Sequence, residues 1–136
     1  MIVGEIVELK ILDVYDRGVP NRERIAVFAN QAVDMGQFGL MIGVRGSGGS
    51  AVPIRDNLLW FGDGILDTGD VILVYTGPGE PRVSTLPNNR QKLITVHWGR
   101  LKVLFSDQNF VPILFRVDAV MIPADQPEAR LLAPPG

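Results

Sequence analysis

The sequence predicts an all-β domain, and three observations favour that fold class. Short runs rich in Val, Ile, Leu and aromatic residues recur along the chain. Gly, Pro, Asn and Asp separate these runs, which is typical of the turns between short strands. No window keeps apolar residues at the helical spacing i, i+3, i+4 and i+7 over three turns. We therefore expect about seven to eight short strands in a sandwich or a small barrel.

Alternation of apolar and polar side chains places the individual strands. Val7, Leu9 and Ile11 alternate with charged residues, so the first strand presents one apolar and one polar face. In the second strand Ile25 and Val27 share one face. The predicted strands, in chain order, cover residues 5–15, 25–29, 39–44, 58–61, 71–76, 93–98, 103–105 and 113–122.

Prolines mark the end of the predicted domain. Pro112 lies beside the last strand, which we expect to start after it or to lie at a sheet edge, because proline lacks the N–H of a strand ladder. Pro127, Pro134 and Pro135 follow in a stretch with few bulky apolar residues. We predict one β domain over residues 1–122 and a Pro-rich, mobile tail over residues 123–136.

Length and composition are those of one globular domain. The chain has 136 residues, of which 46% are hydrophobic and 21% are charged, so it can bury a core of its own. It contains no cysteine, which excludes disulfides, thiolate metal ligands and cysteine nucleophiles. The start lacks the basic and apolar regions of a signal peptide, and no apolar run reaches the roughly twenty residues of a membrane helix. We expect a soluble, cytoplasmic protein without membrane contact.

Three segments resemble a lamin tail domain. Residues 23–30 and 33–40 are similar to its opening, where a strand ending in Asn precedes a Leu-Ser-Gly-Trp-like bend. Residues 66–79 are similar to its Pro-Gly turn, strand and Thr-Gly-x-Gly segment, and Trp98-Gly99 falls where the family often has an aromatic residue. Phe38 in place of the usual Trp departs from the pattern. The resemblance implies an immunoglobulin-like antiparallel β-sandwich, a module used for binding or scaffolding.

Charge is distributed unevenly along the chain, although the net charge is only −2. Five basic residues and the sole histidine lie between Arg82 and Lys102, with no acid among them. Five acids and no base lie between Asp56 and Glu80. The basic stretch predicts either a positive patch for an anionic partner or charges that acidic neighbours offset on a solvated surface.

The basic stretch also supplies the candidate binding residues. An aromatic side chain interleaved with basic ones can form a platform for single-stranded nucleic acid, although the chain as a whole lacks the positive charge typical of such proteins. The candidates are Arg90, Lys92, His97, Trp98, Arg100 and Lys102.

Catalytic and metal-binding patterns are weak. His97 is the only histidine, and no serine stands on a nucleophile elbow. Asp67-Thr68-Gly69 resembles an aspartic protease half-site, which would need a second copy to supply the other carboxylate. Asp63, Asp67 and Asp70 could hold calcium, but their spacing does not fit an EF-hand and Asp is a common turn former. We predict no catalytic residue, cofactor or metal.

These observations favour a non-catalytic interaction or scaffolding module that binds another protein or self-associates. A nucleic-acid-binding module that uses the Arg82 to Lys102 stretch is the first alternative. A homodimeric aspartic protease that uses Asp67 is the second. Fold alone does not decide among them.

Overall fold

The computed structural model describes residues 4–124, and this part of the chain is built from strands. It contains ten strands, eight of which have four or more residues, and its only helical segments are two three-residue 3₁₀ turns. The strands are Leu9–Tyr15 (β1), Arg24–Ala29 (β2), Val33–Asp34 (β3), Phe38–Arg45 (β4), Ala51–Trp60 (β5), Ile65–Leu66 (β6), Val71–Tyr75 (β7), Arg82–Thr85 (β8), Lys92–His97 (β9) and Phe110–Arg116 (β10). The all-β prediction is confirmed.

The strands form three sheets. Five strands pair in the order β1-β2-β7-β9-β8, three pair in the order β10-β4-β5, and β3 pairs with β6. All neighbours are antiparallel except β7 and β9, which are parallel, with Val71 opposite Leu93 and Tyr75 opposite His97. The expected antiparallel pairing therefore holds for every strand pair of the described residues except this one. The chain passes from β7 to the outer strand β8 and returns through β9, so β9 lies against β7 in the same direction.

One hydrophobic core joins the five-stranded and three-stranded sheets. Ile25, Val27 and Val74 of the larger sheet and Leu40 of the smaller one are fully buried in the same cluster, and Val96 packs against it. Complete burial of an aliphatic side chain of this kind stabilises a fold by about 1.5–3 kcal/mol. The alternating positions therefore close the two sheets over a shared interior.

Residues 103–105 are not a strand, so that prediction is wrong. The backbone amides of Leu104 and Phe105 donate to the carboxylate of Glu23, at 2.7 and 3.0 Å, and not to a neighbouring strand. Phe105 is nevertheless fully buried. An apolar run can therefore enter the core from a loop when a buried side chain accepts its amide hydrogens.

Strand β8 was not predicted, because all four of its residues are exposed and it has no apolar face. Strand β10 begins before Pro112, which lies opposite Ile42 of β4. Because β10 has a single neighbour, it is an edge strand and tolerates the missing N–H of proline, as the sequence indicated.

Two further predictions concern the ends of the chain and the membrane. Of the predicted tail over residues 123–136, only residues 123 and 124 belong to the described part, so the tail itself lies outside it. Within residues 4–124, the structure has no helix of the length and apolar character that crossing a membrane requires.

Candidate functional site: a basic groove between loops

The predicted binding residues lie at the two ends of one strand. Strand β9 runs from Lys92 to His97, so Arg90 and Lys92 lie at its start, whereas Arg100 and Lys102 follow its end. A six-residue strand is about 20 Å long. The structure therefore divides the basic stretch into two separate regions, which differ in their electrostatic surroundings.

At the start of β9, acidic neighbours surround Lys92. Because β7 and β9 are parallel and in register, the residue before β7, Asp70, lies beside Lys92. Lys92 Nζ lies 2.8 Å from Asp70 Oδ2 and 3.0 Å from Asp67 Oδ2. Asp70 is buried, and its carboxylate also accepts the backbone N–H groups of Asp67 and Lys92, each at 2.8 Å. The charge of Lys92 is thus offset within the fold.

The same contacts shift the pKa values of the pair. Burial by itself would raise the pKa of Asp70, but hydrogen bonds from Lys92 Nζ and from two backbone amides outweigh burial and lower this pKa below its usual value. The hydrogen bond to Asp70, followed by that to Asp67, raises the pKa of Lys92. Both groups are therefore charged at neutral pH, and they tie the starts of β7 and β9 together.

The Asp67-Thr68-Gly69 segment belongs to the contact between the starts of β7 and β9. The backbone N–H of Asp70 donates to Asp67 O at 3.0 Å, and the backbone N–H of Gly69 donates to Ala29 O at 2.8 Å, so the segment forms a turn against β2. The Asp67 side chain is largely exposed and forms an ion pair with Lys92. Among residues 4–124, no three acidic or histidine side chains gather in a way that could hold a metal ion.

At the end of β9, the buried carboxylate of Glu23 organises three loops. It accepts the backbone N–H of Gly18 at 2.8 Å and the hydroxyl of Thr76 at 2.8 Å. It also accepts the amides of Leu104 and Phe105, as described above. Four donors from three segments thus converge on one side chain. They satisfy the hydrogen-bonding capacity of the buried carboxylate and fix the three loops relative to one another.

The loop after β9 is also held at its beginning. The backbone N–H groups of Trp98, Gly99 and Arg100 donate to carbonyl oxygens of residues 75–77, at 2.8, 3.2 and 2.8 Å. Residues 101–103 therefore span two anchored points. Leu101 at the tip of this span is 95% exposed, so a bulky apolar side chain is presented to solvent from a fixed base.

A groove of about 480 Å³ lies between these loops, and we call it the loop groove. It is lined by residues 20–21, 76–78, 100–103 and Ser106. Its only charged lining residues are Arg100 and Lys102. No carboxylate of residues 4–124 lies within 4.0 Å of the charged group of Arg100 or Lys102. The acids in this part of the chain that form ion pairs form them with other cations.

The two acidic residues at the ends of the 16–23 loop are already engaged, Glu23 by the four donors described above and Asp16 by two arginines. Asp16 Oδ2 lies 2.6 Å from Arg24 Nη1 and 3.5 Å from Arg22 Nε. The hydrogen bond from Arg24 lowers the pKa of Asp16, so this carboxylate stays ionised and paired. Neither carboxylate pairs with Arg100 or Lys102, so both groove cations stay without an ion-pair partner among residues 4–124.

His97 and Trp98 have packing roles. The His97 ring stacks on Tyr75 with a centroid separation of 5.3 Å, and Gly79 approaches it so closely that a Cβ there would overlap the imidazole. His97 Nδ1 is buried and has no hydrogen-bond partner in the described structure. Trp98 packs against the core. Of the six predicted residues, Arg100 and Lys102 come together in the groove, and exposed Arg90 lies at the other end of β9.

Sequence reasoning missed Glu23 and Leu101. Glu23 stands between two arginines before β2, where nothing in the sequence distinguishes it from a solvated acid. Leu101 stands between Arg100 and Lys102, and this apolar residue flanked by cations in a Gly-containing turn was a usable signal for an exposed tip.

Comparison of the chain with protein-family models, with curated proteins and with solved structures found no match. The chemistry of the loop groove therefore has to be interpreted from its own residues. Two unpaired cations suit carboxylates, with which Arg and Lys form charge-assisted hydrogen bonds. Pro20, Pro78 and Leu101 add apolar surface beside them, so the groove can accept a segment that carries both acidic and apolar side chains.

Proposed function

We propose that the protein is a non-catalytic interaction module, an immunoglobulin-like β-sandwich of the lamin tail type, whose loop groove binds an acidic segment of a partner protein. The fold part of the proposal is supported by two sheets that share one core and by the residues that resemble that family. The binding part is supported by the charge and rigidity of the groove. A pre-formed site loses little conformational entropy when a ligand binds.

One observation carries the binding proposal. Arg100 and Lys102 are the only charged residues that line the groove, and within residues 4–124 no carboxylate lies within ion-pair distance of either. Other cations, such as Lys92 and Arg24, already have acidic partners. An acidic segment would supply to Arg100 and Lys102 the carboxylates that the fold supplies to Lys92 and Arg24, and Leu101 would contact its apolar side chains.

The nucleic-acid alternative predicts a different footprint. A strand of nucleic acid would use the basic stretch as a whole and neutralise phosphates at both ends of β9. Of the cations in this stretch, the loop groove holds only Arg100 and Lys102, at one end of β9. The protein-binding proposal therefore makes Arg90 irrelevant to binding, whereas the nucleic-acid alternative does not.

Selection from a displayed library of random twelve-residue peptides tests the proposal. We expect the wild-type protein to enrich peptides that combine Asp or Glu with Leu-like residues, and we expect the Arg100→Glu, Lys102→Glu double variant to lose them. The Arg90→Glu variant is the matched control and should retain the same peptides. Enrichment of neutral or basic peptides, or equal retention by the double variant, would contradict the proposal.

A single-stranded oligonucleotide serves as the competing probe. The affinity of the protein for this oligonucleotide is measured at low salt. An equal fall of this affinity in the Arg90→Glu and Arg100→Glu variants would favour the nucleic-acid function. The protein-binding proposal predicts no such shared dependence.

A further inference from the structure

The histidine at the end of β9 contacts a loop that lines the loop groove. The ring of His97 stacks on Tyr75 of β7, which lies opposite it in the parallel strand pair. Residues 76–81, which we call the crossing loop, lead from β7 to β8 and contact this ring through Gly79. Gly77 and Pro78 of the same loop line the groove. The state of one imidazole ring can therefore act on the wall of the groove.

The contact between Gly79 and His97 positions the middle of the crossing loop. A Cβ on Gly79 would overlap Cε1, Nδ1 and Nε2 of the ring, so no larger residue fits there without movement of the loop. In the part of the chain that the structure describes, no backbone hydrogen bond outside the strand ladders involves residues 78–80. The imidazole is thus the surface on which this part of the loop rests.

The buried nitrogen of the ring has no hydrogen-bond partner. Nδ1 of His97 is buried, and no donor or acceptor of the described residues reaches it. A neutral imidazole carries a proton on one nitrogen only. A buried N–H without an acceptor is unfavourable because it has lost its hydrogen bond to water, so Nδ1 is the nitrogen without the proton. The observed packing therefore fits the neutral ring, and a second proton would place an N–H and a positive charge beside Gly79.

The surroundings of His97 supply no carboxylate for that second proton. No acid of residues 4–124 forms an ion pair with the ring. The titratable and charged groups of the adjoining elements are Tyr75 of β7, Arg24 opposite it on β2, Arg82 of β8, Glu80 beside Gly79, and Arg100 after β9. Three of these five are cations, and the one acid, Glu80, is exposed. Water would have to reach Nδ1 to stabilise a charged ring, and the crossing loop covers it.

We infer that His97 is a proton-sensitive switch of the loop groove. When Nδ1 takes up a proton from solvent, the crossing loop moves off the ring so that water can reach the new N–H, and Gly77 and Pro78 move with it. The groove wall is thus closed over the neutral ring and open over the charged one. The movement of the loop does not depend on what the groove binds, whereas its effect on binding rests on the proposed function.

Amide hydrogen exchange, followed by NMR from about pH 8 to about pH 5, tests the movement in the free protein. Histidine is the side chain that ordinarily changes charge in this range, and the chain has one histidine and no cysteine. The backbone N–H of Gly99 donates to Gly77 O at 3.2 Å, whereas that of Trp98 donates to Tyr75 O, within β7, at 2.8 Å. On acidification we expect the protection factor of Gly99 to fall at least about tenfold, in step with the ring protons of His97, and that of Trp98 to stay constant.

Variants of the ring and of the loop make this test specific. His97→Phe keeps a ring beside Tyr75, and His97→Asn is a smaller replacement in case Phe does not fit; in both, Gly99 protection should no longer depend on pH. Gly79→Ala should give low Gly99 protection already at pH 8, because its methyl group displaces the loop from the ring. Gly4→Ala is the matched control, since a Cβ there meets nothing within 4 Å.

Three results would overturn the switch. The first is a His97 ring that does not titrate between about pH 5 and 8. The second is Gly99 protection that stays constant while the ring titrates. The third is a fall of the same size in His97→Phe and His97→Asn, which would place the pH dependence elsewhere in the chain.

Binding of one synthetic peptide that contains Asp, Glu and Leu separates the switch from the proposed function. We expect the wild type to bind it more weakly at pH 5 than at pH 8, by the factor by which the closed loop is depopulated, and His97→Phe to show no such difference. A positive charge on His97 would by itself strengthen binding of an acidic peptide, so weaker binding indicates loop movement. Binding that is equal or tighter at pH 5 would contradict the switch. Absence of binding at both pH values would contradict the proposed function, and the exchange measurement would then decide on the switch alone.

Discussion

The two ends of the parallel β7–β9 pair carry similar cations in opposite surroundings. At the start, Lys92 lies between Asp67 and Asp70, and the buried Asp70 ties both strands. At the end, Arg100 and Lys102 line a groove without a carboxylate in ion-pair distance among the described residues. One basic stretch thus yields a structural contact and a candidate binding site. The parallel pairing makes the difference, because it brings the acid before β7 only to the start of β9.

Glu23 gives the largest expected effect at the groove end. Glu23→Ala leaves four donors of the buried carboxylate without their acceptor, and we expect the free energy of unfolding to fall by about 3–5 kcal/mol. Denaturant unfolding measures this change. Exposed Glu80 is the control, and Glu80→Ala should change stability by less than about 0.5 kcal/mol. A loss below about 1 kcal/mol for Glu23→Ala would mean that this side chain does not hold the loops.

Asp70 gives the next largest effect, at the start of the strand pair. Asp70→Asn removes the charge that faces Lys92 and weakens three hydrogen bonds, so we expect a loss of about 2–3 kcal/mol. Asp67→Asn is the matched control, because its side chain is 75% exposed in the same ion-pair cluster, and it should cost at most about 1 kcal/mol. Equal losses in the two variants would contradict the structural role of Asp70.

The pH dependence of stability sharpens the same contrast. The pKa of Asp70 is lower in the folded state than in the unfolded state, where it is about 3.9. Ionised Asp70 therefore adds its full contribution to the free energy of unfolding above about pH 3.9, and this contribution is lost as the pH falls through the folded pKa. The pKa of Lys92 is higher in the folded state than in the unfolded state, where it is about 10.4. Protonated Lys92 therefore adds its full contribution to the free energy of unfolding below about pH 10.4, and this contribution is lost as the pH rises through the folded pKa. The charge-dependent advantage of the wild type over Asp70→Asn should therefore be constant from about pH 5 to 9 and shrink outside that window. A difference that grows below pH 4 would contradict it.

The smallest effect on stability is expected at the groove cations. Because neither Arg100 nor Lys102 has an acidic partner in the described structure, Arg100→Glu and Lys102→Glu should each change the free energy of unfolding by less than about 0.5 kcal/mol. Thermal unfolding of both variants beside Lys92→Glu measures this. Lys92→Glu should be clearly less stable, since it places a third carboxylate beside Asp67 and Asp70. Destabilisation of similar size in all three variants would remove the contrast between the two ends.

Strands with one buried face could be predicted from the sequence. The alternation that includes Ile25 and Val27 placed β2 within one residue of its observed bounds, and similar patterns placed β4, β7 and β9. Strand β8 could not be found in this way, because it pairs through its backbone while all its side chains are exposed. Residues 103–105 had a strand-like composition, but their amides are satisfied by Glu23, which is 81 residues distant from Leu104 along the chain.

The candidate site could be predicted only in part. The sequence drew attention to Arg100 and Lys102 through local charge, and it also drew attention to Lys92, which the fold pairs with Asp70. Whether a cation has a partner depends on strand order, and the parallel β7–β9 pairing leaves no mark in local periodicity. The exposure of Leu58 and Trp60 could not be predicted either, because both are large apolar residues of the kind that usually form a core.

The most direct test of the central claim is a backbone amide NMR titration with one synthetic peptide that contains Asp, Glu and Leu. The account predicts saturable chemical-shift changes confined to residues 20–21, 76–78 and 100–106, and affinity that falls about tenfold or more when Arg100 and Lys102 are both replaced by Glu. Shift changes centred on residues 86–92, or an affinity that the double replacement leaves unaltered, would contradict it.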